Sequence, residues 1–146
     1  MVLVDTVRSA VQAAANTASD LPLLAGGKSL GGRMTSLAVS KKPLAGVHGL
    51  VFLGFPLHPA RQPGIERAAH LPGVALPMLF LQGTRDALAD LDRMRSVCDG
   101  LGDQATLHVV DGGDHSFNVL KRSGRTEEQV MAELAQSVSD WVQAIG

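Results

Sequence analysis

The chain has 146 residues, 45% of them apolar and 18% charged, with 13 Lys and Arg against 14 Asp and Glu. That length suits one domain spanning residues 1–146, and the near-neutral charge excludes the electrostatic footprint of a nucleic-acid or anionic-membrane binder. A lone cysteine, Cys98, excludes an intramolecular disulfide and a thiolate metal cluster within one chain.

The opening MVLVDTVRSA lacks a basic segment followed by an apolar one, so it does not read as a signal peptide. Val4, Val7, Val11 and Ala14 instead share a helical face, with Asp5 placed to cap its start. Asn16 to Asp20 breaks that helix, and LPLLAGG follows as a short apolar run fit for a buried strand. Gly31 to Ser40 reads as a helix with Met34, Leu37 and Ala38 inward, ended by KKP because proline disfavours helical geometry in the residue before it. The most apolar run, Leu44 to Leu57, includes His48 and is too short to span a bilayer, so the cytoplasm is the expected compartment.

Gly49 to Phe55 is the best buried-strand candidate and Pro77 to Gln82 is another. Residues 56–76 between them are rich in Pro and Gly, with little helical periodicity beyond IERAAHL. Leu88, Leu91, Met94, Cys98 and Leu101 mark an amphipathic helix closed by Gly100 and Gly102. A fourth strand, Thr106 to Val110, follows it. In the last helix Thr126 and Gln129 form a capping-box pattern ahead of the stripe Val130, Leu134, Val138, Trp141 and Ile145. Apolar strands alternating with helices predict an α/β fold: a three-layer α/β/α sandwich around a small parallel sheet of about four strands.

Open parallel sheets bind ligands beyond the carboxyl ends of their strands. Those ends carry chemistry here. The first leads into GKSLGG with Ser29, the third into QGTRDA with Asp86, and the fourth into DGGDHSF with His115. Serine, aspartate and histidine therefore occur in that order, each in the loop after a different strand.

These segments, with LGFPLHPARQP and LFLQGTRDA, resemble the α/β-hydrolase superfamily, and most of all its dienelactone-hydrolase-like branch. The resemblance implies a catalytic triad of Ser29, Asp86 and His115, with no cofactor and no metal. Each role has a physical reason. A serine hydroxyl is a weak nucleophile that needs a base to take its proton, and a neutral imidazole at His115 can serve. Asp86 would orient that ring and stabilise its positive charge. A sharp strand-to-helix turn would hold Ser29 clear of the sheet, with small neighbours required at Gly27 and Gly31. The amide of Leu30, beside Gly31 at the head of the next helix, would donate to an oxyanion.

The remaining polar residues have plainer roles. Asp90, the rival to Asp86, reads as capping or flanking the next helix, and Asp111 and Asp114 as turn residues. His108 lies inside a strand, His48 precedes one, His70 belongs to the outer connection, and His58 is a loop histidine near the site with no assigned task. Arg33 and Arg85 are candidates for an anionic substrate or for simple solvation. Cys98 belongs to the core. No histidine cluster has metal-ligand spacing and no phosphate loop is present.

The front of the chain departs from the family pattern, in which further strands precede the helix leading to the serine turn and an earlier loop supplies a second oxyanion amide. Only twenty residues precede LPLLAGG. The expected fold is thus a truncated one whose first strand, Leu21 to Ala25, forms an edge beside Ser29. An apolar, unprotected edge invites pairing with another chain, so a homo-oligomer, a dimer through this strand, is expected. Two functions fit. One is a serine esterase acting on a small acyl substrate through a Ser29 acyl-enzyme. The other is a catalytically weak, hydrolase-like interaction module, a reading encouraged by a eukaryotic relative that belongs to a chromatin-modifying complex.

Overall fold

A computed structural model describes all 146 residues. Strands β1 (Leu23–Lys28), β2 (Val47–Leu53), β3 (Met78–Gly83) and β4 (Ala105–Val110) form one sheet in the order β1-β2-β3-β4, each neighbouring pair parallel. The helices are α1 (Val2–Thr17), α2 (Leu30–Lys41), α3 (Leu91–Leu101) and α4 (Glu127–Ile145). The α/β class and the four-stranded parallel sheet follow the sequence pattern, and β1 lies at an edge as the family resemblance implies. Between β2 and β3 the chain crosses over with only two 3-10 turns, Glu66–Ala68 and Leu71–Gly73.

Side chains alternate across a strand, so each face of the sheet has its own core. Leu50, Phe52, Met78 and Phe80 pack with Val39 of α2 and with Met94 and Cys98 of α3. Leu79, Leu81 and Val110 pack with Val130, Leu134 and Trp141 of α4. Strand β3 is buried at every position, as befits an interior strand of a sheet covered on both sides. Phe80 lies 4.8 Å from Phe52 and 5.8 Å from Phe55 between ring centroids, and truncating such a ring typically costs about 3–5 kcal/mol. Gly49 is what lets Trp141 reach the sheet: a Cβ there would stand 2.7 Å from the indole.

Helix α1 lies over α2 with Val4 buried, while Arg8 donates to the carbonyl of Ala38, which also accepts from the Lys42 amide, and to the carbonyl of Lys42 just past the end of α2. At the far end of the chain, Thr126 and Gln129 form the reciprocal capping box that opens α4. No helix is long and apolar enough to cross a membrane.

Several local expectations are corrected. Met1, not Asp5, occupies the N-cap of α1, so Asp5 lies in the first turn. The first strand covers 23–28 rather than 21–25, because pairing with β2 continues up to the residue before Ser29. Helix α2 buries Gly32, Thr35, Ser36, Ala38 and Val39, leaving Met34 and Leu37 only half-buried; its inner face is made of small residues because it lies close to the sheet. Leu88 falls outside α3, whose N-cap is Asp90: its carboxylate accepts from the amide of Arg93 at 3.0 Å.

Candidate active site

The turn from β1 into α2 places Ser29 at φ 50°, ψ −120°, a conformation that costs a non-glycine residue on the order of 1–3 kcal/mol. Two hydrogen bonds hold it there. The Ser29 amide donates to Leu53 O at 3.0 Å, continuing the ladder with β2, and its carbonyl accepts from Arg33 N at 3.1 Å, beginning the helix. The close approach occurs between Gly27 and Gly32: a Cβ on Gly32 would lie 2.6 Å from the Gly27 carbonyl oxygen. Gly31 has open space around it, so the expected packing role moves from Gly31 to Gly32. The amides of Leu30 and Gly31 stand at the head of α2, where the i−4 pattern offers them no acceptor.

The Asp86 and His115 loops, which follow β3 and β4, are fastened to each other. Thr84 N donates to Val110 O at 3.2 Å, Arg85 N to Gly113 O at 2.9 Å, and Gly112 N to Thr84 Oγ1 at 2.9 Å. Gly83 abuts the backbone of Gly113 and Asp114 so closely that a side chain there would collide with it. Asp114 folds the second loop by accepting from the amides of Ser116 and Asn118, both at 2.9 Å. Burial works against its charge, yet those bonds and nearby Arg85 hold its carboxyl below the ordinary carboxylate value. Asp114 is therefore the turn residue that the sequence suggested.

This construction brings the expected residues together. His115 Nε2 lies 2.8 Å from Ser29 Oγ, and His115 Nδ1 lies 2.8 Å from Asp86 Oδ2. The Asp86 side chain is fully buried, whereas that of His115 is 21% exposed, so the open end of the chain is the serine–imidazole end. Gly54, at φ 71°, allows the ring its position; a Cβ there would lie 3.3 Å from both Cε1 and Nδ1 of His115. Asp86 has further donors. Leu88 N reaches Oδ1 at 2.8 Å, and the amide of fully buried Gln82 donates to the same Oδ2 that faces the imidazole. An imidazole flanked by a hydroxyl and a buried carboxylate can take a proton from the first while the second stabilises the charge it gains.

A model of the alpha/beta hydrolase domain matches residues 1–143. The chain belongs to the alpha/beta hydrolase family. Solved structures agree in fold. An alpha-beta serine hydrolase homologue from Coxiella burnetii superposes with a TM-score of 0.68 at 16% identity, covering 94% of this chain and 57% of its own. Esterase 2 of Thermogutta terrifontis, phosphorylated by paraoxon, gives 0.68 at 18%, covering 99% and 62%. A Klebsiella pneumoniae protein assigned as a dienelactone hydrolase gives 0.60 at 23%, covering 89% and 56%. This hydrolase domain thus spans between half and two thirds of the length of those proteins.

Elsewhere in the hydrolase domain, other candidates take structural places. His108 pairs with Glu133 of α4 at 3.1 Å. His70 meets the buried Ser36 hydroxyl at 2.6 Å. Arg33 donates to Arg67 O and Arg85 to Gly112 O, so both guanidinium groups brace loops. No group of three or more His, Cys, Asp or Glu is arranged to hold a metal ion. No motif marks Gln82 as part of the site. A lone amide ending the apolar run PMLFLQ was the available signal, since a buried polar side chain needs a partner. Its Oε1 has none within the protein.

Proposed function

We propose that this domain is a serine hydrolase of esterase type, acting on a carboxylic ester or related small acyl substrate. The supporting observation is the unbroken path Ser29 Oγ, His115 Nε2, His115 Nδ1, Asp86 Oδ2, both hydrogen bonds measuring 2.8 Å. Ser29 Oγ attacks the acyl carbon as its proton passes to His115 Nε2, and the carbonyl electron pair moves onto oxygen. The Leu30 amide, with Gly31 beside it at the positive end of the α2 dipole, receives that oxyanion. The oxyanion collapses to the carbonyl and expels the leaving alkoxide, which takes its proton from the imidazolium, leaving an ester on Ser29. Water then adds with its proton going to Nε2, and the acid departs as Ser29 recovers its hydrogen. Asp86 remains ionised throughout and holds Nδ1–H.

Labelling by a fluorophosphonate tests this directly. The parent should be phosphonylated, and Ser29→Ala and His115→Ala should not. A folded parent that resists the probe, together with no turnover of p-nitrophenyl esters, would move the assignment to the second reading, an interaction module on a hydrolase fold.

That second reading draws on the outer edge of β1, which no strand covers. We propose a second copy of this chain as its occupant, whether or not the serine is active. Leu24 and Lys28 are exposed on β1, and Leu21 is exposed just ahead of it. Antiparallel pairing of two β1 strands would extend the sheet across both copies.

A further inference from the structure

Outside the Ser29–His115–Asp86 path, one buried histidine has both ring nitrogens engaged. His58 follows β2 and is 3% exposed. Its Nε2 accepts from the Asp90 amide at 3.0 Å, and its Nδ1 lies 2.8 Å from Pro59 O. The first contact needs a bare nitrogen and the second a protonated one, which fixes a single neutral tautomer. The same segment grips the neighbouring loop twice more, since Leu57 N and His58 N both donate to Leu88 O, at 2.9 and 3.1 Å. Leu88 in turn donates to Asp86 Oδ1. Residues 86–90 are thus held at their middle, by Leu88 O, and at one end, by Asp90 N, against the segment that carries this ring.

We infer that His58 is a positioning residue for Asp86: its ring fixes the 86–90 loop so that Oδ2 stays within hydrogen-bond reach of His115. Two features favour this over simple core filling. The ring's polar atoms, not just its bulk, are matched to a donor and an acceptor in a place where an unmatched group is costly. The element it ties down is a short loop between β3 and α3 with no ladder of its own, although its other side is pinned to the His115 loop. A carboxylate displaced by about 1 Å is enough to reduce turnover by about 100-fold when it orients a catalytic group.

The inference rests on the reading of Asp86 as the orienting acid, and its test separates the two. In His58→Gln the side-chain carbonyl can still accept from Asp90 N–H, whereas His58→Asn and His58→Leu remove that acceptor. With p-nitrophenyl butyrate, His58→Asn and His58→Leu should lose about 10- to 100-fold in kcat with little change in KM, and His58→Gln should retain most of it. In an Asp86→Asn background His58→Asn should cost nothing more, because the two act through one group. A second readout needs no turnover. The low-field proton resonance of the imidazole–carboxylate bond at His115 should persist in the parent and His58→Gln and broaden or vanish in the other two. Equal losses with or without Asp86, or an unaltered resonance and kcat in His58→Asn, would overturn the proposal. A parent that turns over no ester defeats the esterase reading instead, and the resonance then decides the role of His58 alone. Should His58→Leu fail to fold, the Asn–Gln comparison carries the same test.

Discussion

His115 Nε2 lies 2.8 Å from Ser29 Oγ, although 86 residues separate them along the chain. The contact exists because β1 and β4 run in the same direction, so the loops leaving them open at the same end of the sheet. One loop enters α2 through a strained serine; the other is folded by Asp114 and tied to the turn after β3. Substituting any member of the path therefore tests a proximity created by the whole sheet.

On the proposed mechanism, Ser29→Ala or His115→Ala should reduce kcat by up to about 10⁶-fold, and Asp86→Asn by about 10⁴-fold, with KM changing far less. Steady-state hydrolysis of p-nitrophenyl esters reads this, once each variant is shown to fold by circular dichroism. Because the three act as a unit, the Ser29→Ala/His115→Ala double variant should be no slower than either single one.

Gly31 and Gly32 should respond in opposite senses to the same added methyl. At Gly32 the methyl would meet the Gly27 carbonyl at 2.6 Å, which should destabilise the fold by about 1–3 kcal/mol and slow phosphonylation by displacing Ser29. At Gly31 nothing lies within 4 Å, so alanine should be neutral or stabilise the helix by up to about 1 kcal/mol. Urea denaturation of both variants checks the contrast.

Pairing of two copies along β1 predicts a species of twice the chain mass in light scattering at micromolar concentration. Leu24→Lys, placing a charge on each copy's paired strand, should shift it toward monomer. A parent that stays strictly monomeric across that range rules the pairing out.

Cys98 sits in the core between α3 and the sheet, and burial, reinforced by Asp99, pushes its thiol up to about 12. Iodoacetamide at about pH 8 should leave the folded chain unmodified and alkylate it in denaturant, since the thiolate is the reactive form. Rapid modification of the native protein would contradict the packing of α3.

His70 gives the fold a pH dependence. Burial, then the positive charge of Arg33, hold its imidazole below the ordinary value, so the folded chain binds fewer protons there than the unfolded one. Its contribution is complete above about pH 6.5 and is lost as pH falls through the lower folded value. The parent's Tm should therefore drop more between about pH 7 and pH 5 than that of His70→Gln, as thermal melts monitored by circular dichroism would reveal.

The order of strands and helices was legible in the residues because hydrophobic periodicity is a local property. The same holds for the capping box at Thr126 and for the placement of Ser29, Asp86 and His115 after the first, third and fourth strands. Asp90 and Asp114 could also be read correctly as cap and turn, since each acts on amides within four residues of itself. What only the tertiary structure decided lies between segments. The meeting of Gly27 with Gly32, the zipper joining residues 83–85 to residues 110–113, the amide of Gln82 on Asp86 and the grip of His58 on Asp90 all belong there. Each depends on strand register and on the distance between a helix and the sheet, which are set by packing across the whole core and leave no periodic trace in the chain.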